Sequence, residues 1–243
     1  MPEGPSIVIA KEAIQVFEGK KILDASGTAK IAMGPLINKK LVAVRSWGKH
    51  LLLCLEGLTI RVHFLMFGSY MINDKKERSS HLTLDFGKGN QLNIYTSSIK
   101  LLEQPLDEIY DWSADLLSDQ WDPALARKKL KKTPDVLVTD ALLNQDIFAG
   151  SGNIIKNEVL HRIMVHPYSK IGDLPPRKLT ELVKEVHNYS HDFLEWKKAG
   201  ILKRNWLAYT KKKCSRDGSV IKKEYLGEGK RRTFYCEGCQ VLY

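Results

Sequence analysis

The 243-residue sequence contains no apolar run approaching the roughly 18 residues that a membrane-spanning helix needs, which argues against a helical membrane protein. No basic segment precedes the short apolar stretch of the opening MPEGPSIVIAKEA, so the pattern of a secretory leader is missing and a cytoplasmic protein is expected. There are only four cysteines, three of them crowded at the C-terminus, and in a cytosolic chain such a cluster reads as metal ligands rather than disulfides. Internal repeats and low-complexity segments are also missing, which leaves no sign of a solenoid or a disordered tail. Acidic residues are the scarcer charge: 28 face 38 lysines and arginines, for a net charge of +10.

That excess favours polyanionic partners, because each neutralised phosphate releases condensed counterions. It is also unevenly spread. Residues 203–243 hold eleven lysines and arginines against four carboxylates, so seven of the ten net charges sit in the last 41 residues. Basic enzymes and ribosome-associated proteins share such a balance, and charge alone does not separate them.

Apolar patterning divides the chain into an α+β arrangement. Residues 5–17 read as a helix with one apolar face, stopped near Gly19. From Lys21 to about Leu102 the rhythm changes to short runs (KLVAVRSW, HLLLCLEG, LTIRVHFLMF, HLTLDFG, QLNIYTSS), which predicts an antiparallel β-sandwich or barrel. Asp122-Pro123 reads as a cap and first turn before ALARKKLKK. Further helices are predicted over 135–147, over IIKNEVLHRIM with Asn153 as its cap, and over the segment opened by Leu174-Pro175-Pro176. The chain after about Asn205 returns to short strands around cysteines. The economical division is an N-terminal β-sandwich domain over 1–112, a helical domain over 113–205 and a small β-hairpin module over 206–243.

Three features carry chemistry. Gly150-Ser151-Gly152-Asn153 allows a tight turn into a helix N-terminus, a place where backbone amides can receive a phosphate; it also reads simply as a turn and cap. Cys214-x2-Asp217 and Cys236-x2-Cys239, with 18 residues between the pairs, have zinc-ribbon spacing, with Asp217 where a second thiolate would be expected. Carboxylate oxygen can ligate Zn2+, so a Cys3Asp site is feasible; a metal-free hairpin is the alternative. Cys54, inside LLLCLEG, reads as a core thiol. Finally, Pro2 is small enough for Met1 to be removed. That would expose a secondary amine titrating at about 7.7–8, partly unprotonated at neutral pH and able to attack a sugar C1′, beside Glu3 as a proton shuttle.

Taken together, MPEGPS at the start, WGKHLL at 47–52, VHFLMFG at 62–68, NQDIFAGSGNIIKNEVL at 144–160 and RRTFYCEGCQ at 231–240 resemble the formamidopyrimidine-DNA glycosylase/endonuclease VIII family in order and spacing. The resemblance implies a helix and β-sandwich followed by a helix–two-turn–helix and a zinc-finger-like hairpin. It implies a base-excision repair glycosylase/AP lyase acting as a monomer on double-stranded DNA with damaged or abasic sites. Pro2 then takes the place of the nucleophile, Glu3 of the acid/base group and Lys49 of the hairpin lysine near the lesion and its phosphate. Asn153 and Arg231 take the places of the residues that grip the backbone around the flipped nucleotide. Leu65, Met66 and Phe67, after His63, take the place of the loop that fills the gap; the alternative is that they continue the β core, although three consecutive residues of a strand cannot all face inward.

The branch follows from local differences. No D-P-R-R-F-G stretch is present, Ile94–Ile99 looks like its endonuclease VIII counterpart, and the chain opens MPEG rather than MPEL. Oxidised pyrimidines and β,δ-elimination are therefore expected, rather than the 8-oxoguanine and formamidopyrimidine substrates of the sister branch. Two departures stand against the family pattern: Ser6 where a second glutamate is usual, and Asp217. They leave open a lesion- or AP-site-binding protein with little turnover. A basic RNA-binding module would explain the charge and the cysteines but not Pro2, Glu3 and Lys49.

Overall fold

The structure, a computed structural model, describes residues 2–243; the expected removal of Met1 concerns a residue outside that range. The chain forms two compact units, one ending at Tyr110 and the other running from Asp111 to Tyr243.

The first unit opens with helix α1 (Gly4–Ile14), preceded by Glu3 in extended conformation and with Pro5 in its first turn, where a missing N–H costs nothing. Ile7, Ala10 and Ile14 recur at helical spacing and are buried, and a 3-10 turn carries the chain on to buried Phe17. Gly19, at φ +82°, ends the segment where the sequence places its stop. The helix packs on two strands, β2 (Leu41–Trp47) and β3 (His50–Leu55).

These belong to one six-stranded antiparallel sheet of order β1-β5-β6-β4-β3-β2, completed by β1 (Asp24–Ser26), β4 (Leu58–Ile72), β5 (Leu82–Asp85) and β6 (Gln91–Leu102). Alternation along β4 turns Ile60, Val62 and Phe64 into a core shared with α1, Leu51, Leu53, Leu84 and Ile94. Cys54 is only half-buried, at the edge of this packing rather than inside it. A short helix, α2 (Leu106–Ile109), closes the unit.

In the second unit, α3 (Pro123–Leu130) starts as the sequence predicts. Asp122 accepts hydrogen bonds from the backbone N–H groups of Ala124 and Leu125 at 2.8 and 3.0 Å. The helix predicted over 135–147 is only one turn, α4 (Val138–Ala141). Side chains end it by taking over the backbone's bonds: Asn144 Oδ1 accepts from Asp146 N, and Gln145 Nε2 donates to the carbonyls of Leu143 and Ser151. The next helix, α5 (Asn153–Arg162), is capped by Gly152, so Asn153 is its first residue and not its cap. The long α6 (Pro176–Lys198) packs on α5 through Leu182, Val186, Tyr189 and Phe193. The chain ends in a hairpin of β7 (Ile221–Leu226) and β8 (Arg231–Cys236) with its own small core of Ala208, Cys214, Ile221, Phe234 and Cys236. Among the described residues, no helix is long and apolar enough to cross a membrane.

Candidate active site

Pro2 and Glu3 stand at the head of α1, and Glu3 is buried, 3% exposed, with its carbonyl accepting from Ser6 N. The strands beneath the helix are joined by a two-residue turn, Gly48-Lys49. Gly48 holds φ +50°, the left-handed conformation that this tight hairpin asks of its first turn residue. Lys49 is therefore fixed at the tip of a rigid hairpin rather than on a loop.

Behind it, His50 on β3 faces His63 on β4, the rings edge to face at 5.4 Å, and His50 Nδ1 lies 3.2 Å from the Tyr110 hydroxyl. Burial, with Arg61, His63 and Lys49 close by, lowers the His50 pKa to about 4. His63 is pushed down by burial and by Lys49 and Arg61. At neutral pH both imidazoles are uncharged, so the positive charge of this corner is carried by lysine and arginine.

One break in the sheet follows. The β4–β6 register runs to Phe64↔Ser97 and resumes at Ser69↔Tyr95, leaving four residues, Leu65–Gly68, opposite the single residue Thr96. A Cβ on Gly68 would lie 2.7 Å from Phe64 Cβ and 2.8 Å from the Thr96 carbonyl, so this close crossing requires glycine. Leu65, Met66 and Phe67 are thereby pushed out of the core, 42, 63 and 76% exposed.

In the second unit the polar residues of α5 hold the hairpin. The carbonyl of Arg232 accepts from Asn153 Nδ2 at 2.9 Å, Lys156 Nζ at 3.2 Å and Asn157 Nδ2 at 3.3 Å. Lys156 also donates to Thr233 Oγ1, and Asn157 Oδ1 accepts from Phe234 N at 2.7 Å. Glu158, its pKa raised by burial, takes three backbone N–H groups at Leu207, Ala208 and Tyr209. The bonds to Arg232, Thr233 and Phe234 fix the start of β8, where Arg231 stands exposed, and those of Glu158 fix the segment that leads into the hairpin.

At the hairpin's far end Cys214, Asp217, Cys236 and Cys239 place their ligand atoms within 4.8 Å of one another. Cys214 Sγ is 3.7 Å from Cys239 Sγ, and Asp217 Oδ2 is 3.3 Å from Cys236 Sγ. A Cβ on Gly238 would come 2.5 Å from Asp217 Oδ2; the second cysteine turn leaves room for this carboxylate only because it has glycine there.

The sequence model of the formamidopyrimidine-DNA glycosylase N-terminal domain matches residues 1–97. Mouse endonuclease 8-like 3 is 30% identical over 210 residues, covering 81% of this chain and 34% of that protein. The probable endonuclease 8 2 of Streptomyces coelicolor is 26% identical over 260 residues, covering 99% of this chain and 94% of its own length. The chain belongs to the formamidopyrimidine-DNA glycosylase/endonuclease VIII family. It spans only about a third of the mouse protein's length, 34%. In fold it superimposes on the Lactococcus lactis formamidopyrimidine-DNA glycosylase structure with an abasic-site DNA at a TM-score of 0.86, with 23% identity and coverage of 98% of this chain and 99% of that one.

Family membership sets these positions in context. Within the first unit, Pro2 and Glu3 precede the helix that packs on the two strands joined through Lys49, and the loop expected at Leu65–Phe67 is instead an exposed bulge within β4, just after His63. Within the second, Asn153 and Arg231 are tied to one hairpin and the four metal-ligand candidates converge. Sequence reasoning missed Lys156, Asn157 and Glu158, whose place in an apparently amphipathic helix gave no sign that all three would be buried. It also missed His161, which lies 3.5 Å from Cys214 Sγ and has its pKa lowered to about 4 by burial, with Arg216 adding to the shift.

Proposed function

We propose that this chain is a DNA glycosylase/AP lyase of base-excision repair, acting as a monomer on duplex DNA with oxidised bases, chiefly pyrimidines, or abasic sites. The observation that carries the reading is Pro2–Glu3 at the head of a helix seated on the strands that hold Lys49. After loss of Met1, the Pro2 amine attacks C1′ of the extruded nucleotide as the glycosidic bond breaks and the base departs with a proton. The resulting iminium acidifies C2′, and successive β- and δ-elimination cut the strand on both sides of the sugar. Glu3 carries protons between sugar and leaving groups, and Lys49 holds the phosphate beside the lesion. Leu65, Met66 and Phe67 occupy the space that the flipped nucleotide vacates, and Asn153 and Arg231 take phosphates of the duplex. A chain of this kind works in the cytoplasm, on the nucleoid.

The hairpin's ligand set suits one Zn2+. Thiolates about 2.3 Å from a tetrahedral ion sit about 3.8 Å apart, and the Cys214–Cys239 separation is 3.7 Å. Bound there, zinc would act structurally, fastening two turns by Cys214, Cys236, Cys239 and Asp217, with no part in the chemistry at C1′. Ser6, where the family usually has a second glutamate, favours one rival: a protein that binds lesions or abasic sites with little turnover.

The test is covalent trapping. Protein lacking Met1 is mixed with duplexes containing thymine glycol or an abasic site and treated with borohydride, wild type beside Pro2→Gly. Adducts with both duplexes and strand cleavage, lost in Pro2→Gly, are expected. Trapping on the abasic duplex alone would remove the pyrimidine assignment. Tight binding without any adduct would overturn the enzyme reading in favour of the binder.

A further inference from the structure

His161 lies on the last turn of α5, is fully buried, and points its Nε2 at the cysteine cluster: 3.5 Å from Cys214 Sγ and 4.0 Å from Cys239 Sγ. Its other ring nitrogen, Nδ1, is buried and has no hydrogen-bond partner among the described residues. That pairing restricts what the ring can do. A histidine that ligates a metal through Nε2 carries its proton on Nδ1, and that N–H almost always finds a carboxylate, carbonyl or water. Here it would be a buried orphan donor, which folded proteins rarely tolerate, whereas an unused acceptor lone pair is less costly. With the proton on Nε2, the donor faces sulfur and only the lone pair is left unpaired.

We propose that His161 is a positioning residue for the metal site, donating from Nε2–H to the Cys214 thiolate without entering the ligand set. The inference rests on the zinc reading of the cluster. His161 then holds Cys214, the one cysteine whose turn partner is a carboxylate, in the orientation the ion requires. Arg216 does the same for the opposite turn, its Nη1 donating to Cys239 Sγ at 3.3 Å. Cys236 keeps Asp217 beside it at 3.3 Å. Two of the three sulfurs, one from each cysteine turn, are thus aimed by a donor outside the ligand set, and a set with a carboxylate in place of one thiolate keeps its geometry.

The test uses the full-length protein under reducing conditions, comparing wild type with His161→Leu, which removes the donor with little change in size, and His161→Gln, whose amide N–H falls near the position of Nε2. Zinc affinity is measured by chelator competition, and the d–d spectrum of the Co2+-substituted protein reports the ligand set. Loss of an outer-shell donor lowers metal affinity about 10- to 100-fold, so His161→Leu should fall in that range with the Co2+ spectrum unchanged. His161→Gln should recover most of the loss, a rescue that a purely space-filling role would not give. A shifted Co2+ spectrum in His161→Leu would make the ring a ligand and overturn the proposal. So would wild-type affinity in His161→Leu, or a glutamine variant as weak as leucine. If His161→Leu does not fold, the glutamine variant decides: near-wild-type affinity with an unchanged spectrum supports the donor role, and weak binding by a folded protein overturns it. Wild-type protein that takes up neither zinc nor cobalt would bring down the zinc reading itself, a result distinct from all of these.

Discussion

Leu65, Met66 and Phe67 show how little of their exposure is owed to their own chemistry. All three are apolar, yet the register slip opposite Thr96 bulges them away from the core face of β4, and Phe67 is 76% exposed. An exposed aromatic side chain contributes little to folding, so Phe67→Ala should leave the unfolding free energy within about 0.5 kcal/mol of wild type. If the side chain fills the gap left by a flipped nucleotide, the same variant should excise damaged bases at least tenfold more slowly; denaturant unfolding and single-turnover excision are the two measurements. A large loss of stability would return Phe67 to the core, and unchanged excision would remove its role in the gap. This residue was legible before the structure, because three consecutive apolar positions cannot share one face of a strand. His161 was not. Its neighbours in sequence are Leu160 and Arg162, and nothing local signals that a chain segment 53 residues away brings Cys214 to its ring.

At the scale of elements, α5 and the β7–β8 hairpin are joined by polar rather than apolar contacts. The strands of the first unit were readable because alternation and turn residues are local signals. The helix predicted over 135–147 failed because Asn144 and Gln145 spend their side chains on nearby backbone groups, a competition that apolar periodicity does not register. Likewise Asn153, read as a cap, turns its amide to the Arg232 carbonyl instead, a partner 79 residues distant. The element-level consequence is testable at Asn157, which bonds both the Arg232 carbonyl and Phe234 N. Asn157→Leu keeps the branching of the side chain but leaves the buried Phe234 N–H without its acceptor, costing about 1–3 kcal/mol. The expected result is a lower denaturation midpoint together with faster proteolysis of the hairpin. An unchanged midpoint would mean that the hairpin is held by its apolar core and any bound metal, and that the polar seam contributes nothing net.

For the whole molecule, the uneven charge separates affinity from discrimination. Seven of the ten net positive charges lie after residue 202, and Lys230, Arg231 and Arg232 are all exposed around the hairpin turn. Phosphate contacts position a duplex without reading it, so cations here should set how tightly any DNA is held. The exposed apolar residues Leu65–Phe67, in the other unit, should set how strongly a damaged site is preferred. Each phosphate contact contributes about 0.9 to the slope of log K against log salt concentration. Replacing Lys230 and Arg231 together with glutamine should therefore flatten that slope by about 1–2 and weaken damaged and undamaged duplexes by similar factors. Phe67→Ala should do the reverse, lowering the preference for an abasic duplex at an unchanged slope. Titrations of both duplexes at several salt concentrations measure both quantities at once. If the double variant instead loses its preference for damage while the slope holds, the hairpin reads the lesion itself, and the division of labour between the two units is wrong.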